Sequence, residues 1–245
     1  MKKILYIGLS IVLIGCKNPS STSEKLNVVT TTTMITDLVK NIGGDAIEIN
    51  GLMGAGVDPH LFKASEGDVS KLYHADVIFY NGLHLEGKLV EVFEKMESQQ
   101  KKTIALGEQL DKNGLIGSEY FASNYDPHVW FNIEYFKLFA NKVTKVLSEK
   151  DPENAQIYEE NWQNYYKLLL SLKADIILKI EELPKEKRIL VTAHDAFNYF
   201  GKAYDFEVVG LQGLSTATEA GVQDVQKLAA FIIEKNVKAI FVESS

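Results

Sequence analysis

The amino-acid sequence predicts an α/β fold of two lobes with parallel sheets, connected by one long rigid helix. Three observations carry that expectation. Short apolar or β-branched runs alternate with helical periodicity between residues 26 and 105, a single helical pattern covers residues 152–183, and the strand and helix alternation returns after Pro184. Strands separated by helices of about ten residues indicate βαβ units, whose crossovers lie on the faces of a parallel sheet.

At the amino terminus, Lys2 and Lys3 precede a mostly apolar run at residues 4–14, followed by Gly15 and Cys16. These are the charged, apolar and small-residue zones of a secretory signal. The run is too short to span a bilayer, which needs about 20 residues. Leu13-Ile14-Gly15-Cys16 resembles a bacterial lipobox, in which the Cys is acylated and becomes the first mature residue. Because Cys16 is the only cysteine, no disulfide can form within the chain. Residues 17–25 are polar and read as a flexible tether.

The first lobe is expected over residues 26–147, with strands at residues 27–32, 46–52, 77–80 and 103–105 and helices at residues 35–42, 66–73, 86–97 and 132–147. The linker helix, within residues 152–184, places Tyr158, Trp162, Tyr165, Leu169, Leu172, Ile176 and Leu183 at helical spacings until Pro184 stops it. At 1.5 Å per residue its expected length is about 48 Å, enough to reach both lobes. It lacks the clean Leu/Ile seam of a coiled coil. The second lobe, residues 187–245, carries strands at residues 189–192, 207–210 and 239–242 and helices at residues 196–203 and 222–235. It ends on a strand with no covering helix, so the sequence predicts an incomplete second lobe, since a parallel sheet needs both faces covered.

The chemistry lies in the histidines. Asp-Pro-His occurs twice, at Asp58-Pro59-His60 and Asp126-Pro127-His128, and His194 follows the apolar run at residues 189–192. Neutral imidazole is the commonest protein metal ligand, and Pro stiffens the loop that presents each His. His60 and His128 both fall in loops of the sheet-and-helix pattern, and ligands of parallel sheets gather beyond the carboxyl ends of the strands. Asp58, Asp126 and Asp195 each neighbour one of these histidines, as loop or helix caps or as partners of the imidazole. His74 and His84 fall at helix ends, where surface or packing roles are expected. A net charge of −7 with no basic run past the signal argues against nucleic acid. The chain has no Gly-x-x-x-x-Gly-Lys-Ser/Thr motif, so any energy input must come from a partner.

Five segments together resemble one family. They are Gly56-Val57-Asp58-Pro59-His60, Tyr80-Asn81-Gly82-Leu83-His84-Leu85-Glu86-Gly87, Tyr125-Asp126-Pro127-His128-Val129-Trp130, Thr192-Ala193-His194-Asp195-Ala196-Phe197-Asn198-Tyr199-Phe200 and Ile240-Phe241-Val242-Glu243-Ser244-Ser245. The chain resembles the metal-binding lipoproteins of bacterial zinc, manganese and iron ABC importers, the cluster 9 or TroA-like solute-binding proteins. The resemblance implies two lobes joined by one rigid helix with the metal between them. It implies His60 and His128 as ligands from the first lobe, His194 from the second, and a fourth, carboxylate ligand beyond residue 245. Glu243 is expected only to support the site, for instance by orienting a His.

The function implied by the resemblance is capture of Zn(II) or Mn(II), with Fe(II) a further option, and delivery to a membrane permease driven by its ATPase subunit. The carrier is expected to be a monomer held to the membrane through a lipid on Cys16, facing the periplasm or the cell exterior, and not an enzyme. Three imidazoles and one carboxylate suit Zn(II) by ligand preference and by the general affinity order. Members with Glu in place of the third His tend to be manganese proteins, and dedicated zinc members often carry a His-rich insertion. This chain has His194 and no histidine between His84 and His128. Two alternatives stand beside the carrier: a surface adhesion lipoprotein, as relatives are often described, and a lipid-anchored zinc hydrolase. His194-Asp195 superficially resembles the pair of metal phosphohydrolases, yet the further ligands those sites need lack their helical context.

Overall fold

The computed structural model describes residues 25–119, 121–217 and 219–243; the signal with Cys16 and the tether up to residue 24 lie outside the described residues. The first lobe is built on a four-stranded parallel sheet in the order β2-β1-β3-β4. Its strands are β1 (Leu26–Thr30), β2 (Ile47–Gly51), β3 (Val77–Tyr80) and β4 (Lys102–Ala105). Val28 of β1 stands in register with Ile49 on one side and Val77 on the other.

Period-two alternation sends neighbouring strand residues to opposite faces, so both faces must be covered. Val28, Phe79 and Ile104 join one core with α1 (Thr33–Gly43) and the later helices, whereas Val29 and Ile78 join a second core with Leu72 of α2 (Glu66–His74) and Phe93 and Met96 of α3 (Val90–Ser98). Strand β1 ends two residues earlier than its sequence pattern suggested, because Thr32 becomes the cap of α1 and accepts from the Ile35 N–H. Ser65 and Asp68 form a reciprocal capping box at the start of α2.

The helix expected from Glu86 starts later, at Val90, after a 3-10 turn at Gly87–Leu89. Gly82, Leu83 and His84 take φ of 78°, 52° and 65°, so His84 sits in a left-handed turn and not at a helix start. The physical cause is the buried Glu86 carboxylate, which accepts from the Asn81 N–H at 2.8 Å and the Gly82 N–H at 3.1 Å and closes the chain on itself.

Helix α4 (Ile133–Lys150) is capped by Asn132, whose side chain accepts from the Glu134 N–H. A 3-10 turn at Pro152–Asn154 then leads into α5 (Ala155–Glu181), the long helix. Its 27 residues extend about 40 Å, somewhat less than the sequence pattern suggested, because the first turn is 3-10. Tyr158, Trp162, Tyr165 and Leu169 bury one face against α1 and α4, while further along Leu172 is 49% exposed and Leu178 62%. The helix is anchored on the first lobe and runs on toward the second.

The second lobe begins with β5 (Ile189–His194), α6 (Asn198–Tyr204), β6 (Glu207–Gln212) and α7 (Val222–Lys235), and β5 pairs with β6 in parallel. Strand β5 is two residues longer than its apolar run, so His194 is its last residue. The strand expected at residues 239–242 does not form: only Phe241 pairs with β5, its N–H donating to the Val191 carbonyl at 2.8 Å and its carbonyl accepting from Ala193 at 2.9 Å. Ile240 and Val242 stand 52% and 78% exposed, so burial does little to extend the pairing. Among the described residues, no helix is long and apolar enough to cross a membrane.

Candidate metal centre

The two Asp-Pro-His triplets fold into the same local turn. In each, the Asp Oδ1 accepts from the backbone N–H of the His two residues on, at 2.8 Å for Asp58 and His60 and 2.9 Å for Asp126 and His128. This Asx turn, with Pro fixed between its ends, aims the imidazole away from the loop. The first turn lies between β2 and α2, the second immediately before a 3-10 turn at Val129–Phe131, and His194 arrives at the carboxyl end of β5. The structure thus brings together three histidines separated by up to 134 residues of chain.

His60 Nε2 lies 3.1 Å from His128 Nε2, and His194 Nε2 lies 3.2 Å from the same atom. The three donor nitrogens fall within 4.8 Å of one another, and among the described residues they form the one cluster with metal-holding geometry. An ion bound tetrahedrally at 2.0–2.1 Å separates its ligands by about 3.4 Å, so these nitrogens need little movement to become vertices of its coordination shell.

His60 is 7% exposed and His128 1%, and aromatic rings wall the cluster. Phe121 stacks on His60 at 5.7 Å, and Trp130 meets the His128 ring edgewise at 5.3 Å. Burial, followed by the neighbouring His128 and His194, lowers the His60 pKa to about 3. Burial, followed by His128, lowers the His194 pKa to about 4. Both rings are therefore neutral near pH 7 and can present a lone pair to a cation without first losing a proton.

The surroundings orient each ring. Asp126, fully buried, accepts from His128 Nδ1 at 2.7 Å, which leaves His128 Nε2 free to donate its lone pair into the cluster. The Nδ1 of His194 lies 3.7 Å from Glu243 Oε1. Glu243 stands beside His194, on the side of the ring away from the other two donors, where it can orient the imidazole. Asp195 does not cap α6, whose N-cap is Phe197; burial raises its carboxyl pKa, opposed by Asn198. His74 bonds the Ser70 carbonyl through Nδ1, and neither it nor His84 joins the cluster.

Sequence reasoning missed four residues that hold this arrangement. Asn81 donates to the Pro127 carbonyl at 2.9 Å, tying the His128 loop to the turn that Glu86 closes. Glu86 is 2% exposed; burial pushes its carboxyl up, while bonds from Thr31 and from the Asn81 and Gly82 N–H groups hold it down. Asn198 and Tyr199 of α6 reach the first lobe, through Asn198 Nδ2 to Asp126 Oδ2 at 3.2 Å and Tyr199 OH to the Asp126 carbonyl at 3.0 Å. A Glu four residues after Asn81-Gly82, a turn-forming pair, was the visible signal for the first pair. The Asn198 and Tyr199 contacts carry no local signal.

Comparison with known proteins identifies the family. A family model described as ZnuA, zinc-uptake complex component A, periplasmic, matches residues 28–245. The manganese-binding lipoprotein MntA of Bacillus subtilis (strain 168) is 44% identical over 236 residues, 95% of this chain and 76% of that protein. The zinc-binding protein TroA of Treponema pallidum (strain Nichols) is 45% identical over 231 residues, 94% of this chain and 74% of that protein. A solved structure of periplasmic TroA from the same organism aligns with a TM-score of 0.87 over 91% of this chain and 79% of that one, at 45% identity. Fe(III)-bound YtgA from Chlamydia trachomatis aligns with a TM-score of 0.81 at 25% identity, over 89% of this chain and 80% of that one.

Proposed function

The chain belongs to the ZnuA family of periplasmic zinc-uptake components, and from that premise we propose that it is the metal-capturing lipoprotein of an ABC importer, binding Zn(II) or Mn(II) and delivering it to a membrane permease. The observation that carries this reading is the convergence of His60, His128 and His194 through their Nε2 atoms in a buried cluster at the junction of two lobes. The ion is cargo. Neutral imidazoles lose little on binding a cation, and the buried Asp126 carboxylate behind His128 offsets part of its charge.

The three histidines are the proposed protein ligands, with a carboxylate as the fourth donor that a closed site calls for. Zinc is slightly favoured over manganese by a nitrogen-rich donor set and by the general affinity order. The relatives divide, one being named for manganese and one for zinc. Residues 26–147 and 187–245 are the proposed lobes, with the helix of residues 152–184 as the rigid connector. The proposed protein is a monomer anchored through a lipid on Cys16 on the outer side of the membrane, where a permease and its ATPase complete the importer. Its role is transport and not catalysis.

The test is metal content and competition binding by mass spectrometry, on the chain and on a triple variant with Ala at positions 60, 128 and 194. One tightly held zinc or manganese per chain, lost in the variant, is expected; metal retained by the variant would overturn the assignment of these ligands.

A further inference from the structure

We propose that Thr216 and Asp58 form a clasp between the two lobes that sets how fast the captured cation leaves. The inference rests on the capture reading and adds a positioning residue to it. On one side of the site, α6 is bound to the loop that carries His128. Tyr199, fully buried, donates to the Asp126 carbonyl at 3.0 Å and accepts from the Ile116 N–H at 3.0 Å, and Asn198 reaches the Asp126 carboxylate at 3.2 Å. A fully buried phenol with two backbone partners is costly to separate, because parting the lobes there would strand polar groups.

On the other side the tie is of a different kind. Thr216, on the segment that follows β6, donates through Oγ1 to Asp58 Oδ2 at 2.5 Å, and Thr216 is only half-buried. Water can replace that partner on both atoms, so this is the side where the lobes part at lower cost. Each half of the clasp also holds the backbone at or beside one metal-facing histidine. The other oxygen of Asp58 accepts from the His60 N–H at 2.8 Å and shapes its turn. Three residues before Thr216, the carbonyl of Gly213 accepts from the N–H of Asp195, the residue next to His194, at 3.4 Å. Breaking the Thr216 bond therefore loosens the supports of His60 and His194 together. His128, fixed by Asp126, stays in place. Thr216 itself contributes no donor to the cluster, and its effect is on the lifetime of the closed site.

The experiment loads the chain with Zn(II), mixes it with excess chelator in a stopped-flow instrument, and follows release from wild type, Thr216→Val and Thr216→Ser. Val keeps the shape and removes the donor, while Ser restores a hydroxyl. Release about tenfold faster in Thr216→Val is expected, equivalent to about 1.4 kcal/mol, with the association rate unchanged and Thr216→Ser close to wild type. The metal-free melting temperature checks that the variant folds. A Thr216→Val release rate within twofold of wild type, in a chain whose zinc is lost by the triple histidine variant, would overturn the clasp and leave the capture site standing. Zinc retained by the triple variant would instead overturn the capture reading, and the clasp with it.

Discussion

Asp126 makes the sharpest prediction about metal affinity. Its Oδ1 holds His128 twice, through the backbone N–H at 2.9 Å and Nδ1 at 2.7 Å, and its Oδ2 receives Asn198 at 3.2 Å. Replacing Asp126 with Asn keeps an oxygen that can accept both bonds from His128, so the ring orientation survives. Two things are lost: the negative charge behind the imidazole, and the bond to Asn198, where the new amide N–H₂ meets another donor. Removing a partner of this kind typically lowers metal affinity ten- to a hundredfold, or about 1.4–2.7 kcal/mol. Because the charge goes while the geometry stays, the lower end is expected, about tenfold for zinc in competition with a chromophoric chelator. Asp126→Ala, which also abandons the turn, should reach the upper end. Zinc affinity in Asp126→Asn within twofold of wild type would refute the view that this carboxylate tunes His128.

Three further outcomes are expected. Both His60 and His194 have folded-state pKa values, about 3 and about 4, below the ordinary 6.5 of the unfolded chain. The unfolded state therefore binds more protons between about pH 4 and 6.5, and these two groups make the metal-free protein less stable as pH falls through that window and leave stability flat above it; melting temperatures at pH 7 and 5 measure this, and replacing both histidines with Ala should flatten the difference. Tyr199→Phe leaves the part-buried Ile116 N–H and the buried Asp126 carbonyl without their hydroxyl partner and should cost about 1–3 kcal/mol in a urea melt. Glu86→Ala strands Thr31 and the Asn81 and Gly82 N–H groups beneath the left-handed turn and should destabilise by at least about 3 kcal/mol, whereas an exposed carboxylate such as Glu234 changed to Ala should move stability by less than about 0.5 kcal/mol.

Much of the architecture was legible because it depends on local periodicity. Strands β1 to β4 and the helices between them follow runs of alternating or helical apolar spacing, and Pro152 and Pro184 bracket the long helix within a few residues of its observed ends. Element limits failed where side chains from elsewhere decided them. Glu86 looked like the first residue of a helix, and it became the anchor of a turn because its carboxylate is buried against three donors. The segment at residues 239–242 has a strand's composition, but pairing is a property of the neighbour as much as of the segment, and here it reduces to Phe241.

The repeated Asp-Pro-His triplet determined by itself that two histidines would be presented in the same stiff turn, since Asp, Pro and His within three residues supply the acceptor, the fixed φ and the imidazole. The pattern around His194 likewise placed it at a strand end. Only the tertiary structure decided that the three rings share one point, that Asp126 serves His128 while Asp58 serves both His60 and Thr216, and that α6 of one lobe is locked onto the loop of the other. The reason is range. Turns and helical faces arise from interactions over a few residues, whereas the meeting of His60, His128 and His194 depends on how two separately formed sheets are set against each other, and that is settled by packing that no short stretch of the chain contains.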